Sequence, residues 1–86
     1  MLWTVVWMQS ALDLLAERWL AARNKALVNA AADAIDAELR NDPDVKGEDF
    51  YGDRILEVPP LAAVYVLRPD DRIVESIQIL RSGPPV

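Results

Sequence analysis

The chain contains no cysteine and no histidine. The first absence excludes disulfides, thiolate nucleophiles and sulfur-ligated zinc. The second removes imidazole ligands and the usual general base near neutral pH. Any chemistry must therefore be carried by Asp, Glu, Tyr, Lys, Arg or Ser. Positive charge is also short: nine Lys and Arg face fourteen Asp and Glu, for a net charge of −5 and a pI near 4.5. Proteins that gain affinity by displacing counterions from phosphates normally carry the opposite sign, so tight nucleic-acid binding is not expected. No basic half hides behind the average, because residues 1–43 hold four basic and six acidic side chains and residues 44–86 hold five and eight. Long apolar runs are missing too. The opening "MLWTVVWM" is far too short to span a bilayer and has no Lys or Arg before Arg18 to flank a signal peptide. No membrane association is expected, and a cysteine-free chain without a leader fits the cytoplasm. The acids Asp42, Asp44, Glu48, Asp49 and Asp53 lack the spacing of a calcium loop, so no metal site and no cofactor is expected.

What is present is ordinary globular material, 52% apolar and 27% charged over 86 residues. That suffices for one compact domain, 1–86, and not for two cores. Leu2–Trp7 is β-rich, with Trp3, Val5 and Trp7 on one face and Leu2, Thr4 and Val6 on the other, which suits an inner strand or one with helices over one face. Ser10, three residues before Asp13, reads as a capping residue for a first amphipathic helix ending near Ala22. Asn24 reads as the N-cap of a second, with Val28, Ala31, Ile35 and Leu39 as its apolar stripe and Asp42-Pro43 as its stop. The short link between them and the alanine-rich "NAAADAIDAE" predict a tight antiparallel helical pair.

"DPDVKGEDFYGD" reads as a loop and as the main candidate for a functional loop. Strands follow at Arg54–Val58, Leu61–Leu67 and Arg72–Arg81, separated by Pro59-Pro60 and by "RPDD". Leu61–Leu67 carries no charge and is apolar on both faces, the pattern of a central strand covered on both sides. In the last strand Ile73, Glu75, Ile77 and Ile79 alternate with Val74, Ser76, Gln78 and Leu80, and residues 81–86 read as a loose tail. The order β-α-α-β-β-β predicts an α+β fold, an αα-hairpin packed on a mostly antiparallel four-stranded sheet.

This order resembles the RelE/ParE superfamily of bacterial toxins: an opening strand with tryptophans, a short αα-hairpin, then "R-x-L-x-V" leading into an apolar strand with a tyrosine near its end. The resemblance runs from Leu2 to about Arg81. It implies a small cytoplasmic toxin of a type II toxin–antitoxin system, as in plasmid stabilisation, held inactive by a cognate antitoxin. Members act on DNA gyrase (ParE-like) or cut mRNA on the ribosome (RelE-like). In the segment of form "G-D/Y-Y-R-V-L-Y" the tyrosine matches Tyr65, but the arginine three residues earlier is Ala62, and a basic position before the turn falls at Glu57 or Val58. The residues carried over by the resemblance are Arg54, Tyr65 and Arg81, as catalytic groups of a ribonuclease.

Each of these also has a plainer reading. Arg54 can pair with an Asp or with Glu57, and Tyr65 can bury its ring and hydrogen-bond its hydroxyl. Trp3, Trp7 and Trp19 can anchor a partner helix or fill the core. RNA cleavage without histidine needs cations both to neutralise charge and to move protons, and two expected cations are missing. Catalysis therefore stays an open question. The sequence points first to a ParE-like protein acting on a protein target, with DNA gyrase as a candidate and an antitoxin whose toxin-binding segment is less acidic than usual, or basic. The alternatives are a RelE-like ribosome-dependent endoribonuclease and a non-toxic interaction module on the same fold.

Overall fold

The computed structural model describes residues 2–83. Strand β1 (Thr4–Trp7) leads into helices α1 (Gln9–Ala21) and α2 (Lys25–Arg40), then a 3-10 turn (Pro43–Val45). Strands β2 (Glu48–Phe50), β3 (Asp53–Val58), β4 (Leu61–Arg68) and β5 (Ile73–Arg81) complete one sheet, ordered β1-β5-β4-β3-β2. β1 runs parallel to β5, and every other pairing is antiparallel. The α+β class and the helices on one face are as expected. The sheet has five strands where four were predicted.

The additional strand comes from the segment read as a loop. Phe50 pairs with Asp53 across the two-residue turn Tyr51-Gly52, and both turn residues have positive φ, 52° and 92°. That backbone twist matches the twist of the flanking strands, so a hairpin closes where composition alone suggested a loop.

β1 lies at an edge of the sheet, not inside it. Its inward face carries Trp3, Val5 and Trp7, while Leu2, Thr4 and Val6 are exposed. β4 is the middle strand, and its alternate residues Leu61, Ala63 and Tyr65 join Trp3, Ala11, Val28, Ile35 and Leu39 in one core. The α2 stripe is buried as the spacing predicts, each such Ile or Leu contributing about 1.5–3 kcal/mol. The other face of β4 has no helix on it among the described residues. Ala62 and Val64 are nevertheless only 3% and 1% exposed, being short side chains in the centre of the sheet.

Two local expectations change. α1 begins at Gln9 with Met8 at its N-cap and no side-chain cap. Ser10 instead donates its hydroxyl to the carbonyl of Ile77 at 2.8 Å, while the Met8 amide binds the carbonyl of Ser76 at 3.0 Å. These bonds meet a β-bulge: Val64 pairs with Gln78 but Tyr65 with Ser76, leaving Ile77 unpaired. A bulge residue shifts the alternation by one, so Ile79 joins Val74 and Ser76 on the core side, against the uninterrupted alternation read from sequence. Asn24 does cap α2, its side chain accepting from the Leu27 amide at 3.3 Å. Each helix packs more against the sheet than against the other, so the helical pair is joined largely through the sheet.

At the end of β5, Arg81 still pairs with Leu61, and Ser82 is buried, its amide bonded to the Pro60 carbonyl at 2.9 Å. The predicted tail therefore begins later than residue 81. Its last three positions, 84–86, lie outside the described residues.

Candidate functional site

β3 and β4 set Arg54 directly opposite Tyr65 on the core side of the sheet. Both side chains reach toward the 3-10 turn and the residues after it. The Tyr65 hydroxyl lies 2.8 Å from the Lys46 carbonyl and 3.0 Å from that of Pro43, sharing its one hydrogen between them. Arg54 donates to the Lys46 carbonyl through Nε at 3.0 Å and Nη2 at 2.8 Å, and to the Gly47 carbonyl at 3.2 Å. Helix ends and turns leave carbonyls without partners, and here two side chains of the sheet supply them. Burial raises the Tyr65 pKa above its ordinary value, with Arg54 beside it pulling the other way.

Gly47 makes this approach possible. Its φ is +70°, and a β-carbon there would stand 2.6 Å from the Ile55 carbonyl oxygen and 2.7 Å from the Tyr65 hydroxyl. Only glycine combines that backbone conformation with that clearance. Lys46 in turn reaches back to α2, bonding the Glu38 carbonyl at 3.1 Å and the Glu38 carboxylate at 3.0 Å. The four residues form a latch holding the 43–47 segment against the sheet.

Arg81 is not part of it. It pairs with Leu61, four residues from Tyr65 along β4, which is about 13 Å at the rise of an extended strand. The structure thus brings Arg54 and Tyr65 together and leaves Arg81, exposed, toward the opposite end of the sheet. The ion pair considered for Arg54 gives way to backbone carbonyls, whereas the buried, hydrogen-bonded reading of Tyr65 matches what is seen.

The tryptophans separate by environment. Trp3 is 8% exposed and belongs to the core. Trp7 is half-buried and donates to Asp36 at 3.0 Å. Burial alone would raise the Asp36 pKa, but this bond and those from Arg40 outweigh it and hold the carboxyl below its usual range. Trp19 is 37% exposed, with the Lys25 ammonium 4.9 Å from its ring centroid.

The face of the sheet away from the helices is chemically different. Register places Glu57, Ala62 and Leu80 in one row across it, and Glu48, Ile55, Val64 and Gln78 in the next. A third row holds Phe50, Asp53, Val66, Glu75 and Val6. Glu57 also accepts a hydrogen bond from Ser82 at 2.6 Å. Arg68 is on the same face, already ion-paired with Glu75.

No protein-family model and no curated protein matches the chain. Solved structures do. A chain of the RelBE2 toxin–antitoxin complex of Mycobacterium tuberculosis superposes with a TM-score of 0.76 at 12% identity, covering 98% of this chain and 95% of that one. A chain of the chromosomal ParDE system of P. aeruginosa gives 0.65 at 14% identity, covering 95% and 98%. The fold is RelE/ParE-like. Of the positions where the resemblance leads one to expect cations, Ala62 pairs directly with Glu57 across β3 and β4, while Val58, the alternative to Glu57, pairs with Leu61. Sequence reasoning missed Gly47 and the carbonyls it brings to Tyr65. The available signal was a glycine directly after Lys46 and ahead of a short alternating run, a pattern that composition hides among loop residues.

Proposed function

We propose that the chain is the toxin-like member of a toxin–antitoxin pair, of the ParE-like, non-nuclease kind, acting by binding a protein target and neutralised by a cognate antitoxin. The RelE/ParE-like fold supports the pairing, since the two neighbours described above are chains of toxin–antitoxin systems. The observation that carries the choice of mechanism is the latch. Phosphodiester cleavage needs groups free to neutralise developing charge and move a proton. Arg54 and Tyr65 are instead committed to the carbonyls of Pro43, Lys46 and Gly47, and Arg81 stands apart. DNA gyrase is the target suggested by the ParE-like reading.

Induced expression is expected to arrest growth, to raise DNA-damage signalling and to recover gyrase with the tagged chain, while mRNA in a translating extract stays intact. Full growth with no antitoxin partner would remove the reading. Message cleavage that disappears in Arg81→Ala would replace it with the ribosome-dependent nuclease.

A further inference from the structure

The sheet face away from the helices carries an apolar centre and an acidic border, and no element of the described residues crosses it. Ile55, Val66 and Leu80 are half-buried there and Val6 is exposed, around the buried Ala62 and Val64. Glu48, Asp53 and Glu57 line the β2–β3 side, and Glu75 stands in the row of Val66. Against these four carboxylates the face offers one guanidinium, Arg68, which Glu75 already engages. At the tip of the same hairpin Tyr51 is 94% exposed, packed edge-to-face on Phe50 with centroids 5.0 Å apart. Its φ of 52° is uncommon for a bulky side chain, and such backbone strain is enriched at binding sites.

We propose that this face seats a cationic amphipathic segment of the antitoxin, its apolar stripe over Ile55, Val66 and Leu80 and its Lys or Arg side chains against Glu48, Asp53 and Glu57. This rests on the toxin–antitoxin reading above and deepens it. Charge complementarity selects the occupant. A second copy of the chain would bring the same acidic border and a net charge of −5 against its own, and a nucleic acid would bring phosphates. The dimensions agree. Five strands at about 4.8 Å spacing put the outer strands about 19 Å apart, the length of a helix of about 13 residues.

The test titrates the whole chain with two synthetic 14-residue peptides sharing a leucine stripe, one flanked by lysines and one by glutamates, followed by NMR amide shifts. The lysine peptide is expected to bind, with shifts confined to β3, β4, β5 and the β2–β3 hairpin and affinity falling as salt is raised. The double variant Glu48→Lys/Glu57→Lys should weaken it by about tenfold or more, and Asp13→Lys/Glu17→Lys on α1 should not. Equal binding of the two peptides, binding of neither, or shifts on α1 and α2 would overturn the assignment, and the wild-type shifts decide this even if the variants fold poorly. A second arm measures hydrogen exchange in the complex with the protein encoded beside this one. Protection of β3 to β5 supports the proposal. A stable complex that leaves those amides unprotected overturns it while the toxin–antitoxin reading stands, and finding no partner at all overturns both.

Discussion

The Lys46 carbonyl accepts from both Arg54 and Tyr65, whereas the Pro43 carbonyl has the Tyr65 hydroxyl. Removing that hydroxyl with Tyr65→Phe leaves Arg54 on Lys46 but takes the side-chain donor from Pro43. A loss of about 1–2 kcal/mol in urea unfolding is expected. The same phenol makes stability depend on alkali. Burial raises its pKa above 10.0, so the folded state favours the protonated form. That contribution is fully present below the unfolded pKa and is lost as pH rises through the folded one. In a Tyr51→Phe background, which leaves Tyr65 as the sole tyrosine, phenolate absorbance should rise later in the folded chain than in urea. Gly47→Ala should cost about 1–3 kcal/mol by the same unfolding measurement, because it combines positive φ with a clash on backbone. A loss under about 0.5 kcal/mol would show that the latch gives way freely. Tyr65 as a buried, hydrogen-bonded residue was readable from its apolar strand. Its acceptors were not, because they lie 19 and 22 residues away in the chain.

Among the elements, α2 was the most legible, since its stripe repeats at helical spacing and Asn24 starts it with a specific side-chain bond. β2 was the least. Three residues give no periodicity to read, and the strand exists because Tyr51-Gly52 turns the chain back onto β3. Tyrosine is a poor residue for that left-handed position, where asparagine is several-fold enriched. Tyr51→Asn is therefore expected to raise the thermal midpoint, by a stabilisation of about 0.5–1 kcal/mol. If the aromatic tip is kept for a partner, the same variant should bind it less well. The bulge at Ile77 explains the misread faces of β5: one extra residue inverts every later position, and the inserted carbonyl is met by Ser10 from α1. Nothing in the strand's own sequence marks that insertion.

For the molecule as a whole, the net charge of −5 is opposite in sign to that of a chain that binds by neutralising phosphates. Four carboxylates, Glu48, Asp53, Glu57 and Glu75, face outward across the open sheet, where Glu57 pairs with Ala62. Single-stranded RNA is expected to show no saturable binding by fluorescence anisotropy even at low salt, where counterion release would be strongest. Tight, salt-sensitive binding would contradict the assignment of this face to a cationic partner. No helix among the described residues is long and apolar enough to cross a membrane.

The sequence by itself determined the order of the two helices and of every strand but β2, the core stripe of α2, the central place of the uncharged Leu61–Leu67 and the shortage of cations. These follow from local periodicity and composition, which need no knowledge of distant neighbours. Only the tertiary structure decided that β1 is an edge strand and that a fifth strand forms. It also decided that Arg54 and Tyr65 close a latch and that Arg81 stands away from them. The edge place of β1, the Tyr65 bonds and the position of Arg81 depend on which backbone groups meet across long stretches of chain, and pairing over such distances is fixed by packing, not by the residues adjacent in sequence. The fifth strand is a local hairpin, but its three residues are too few to show a period.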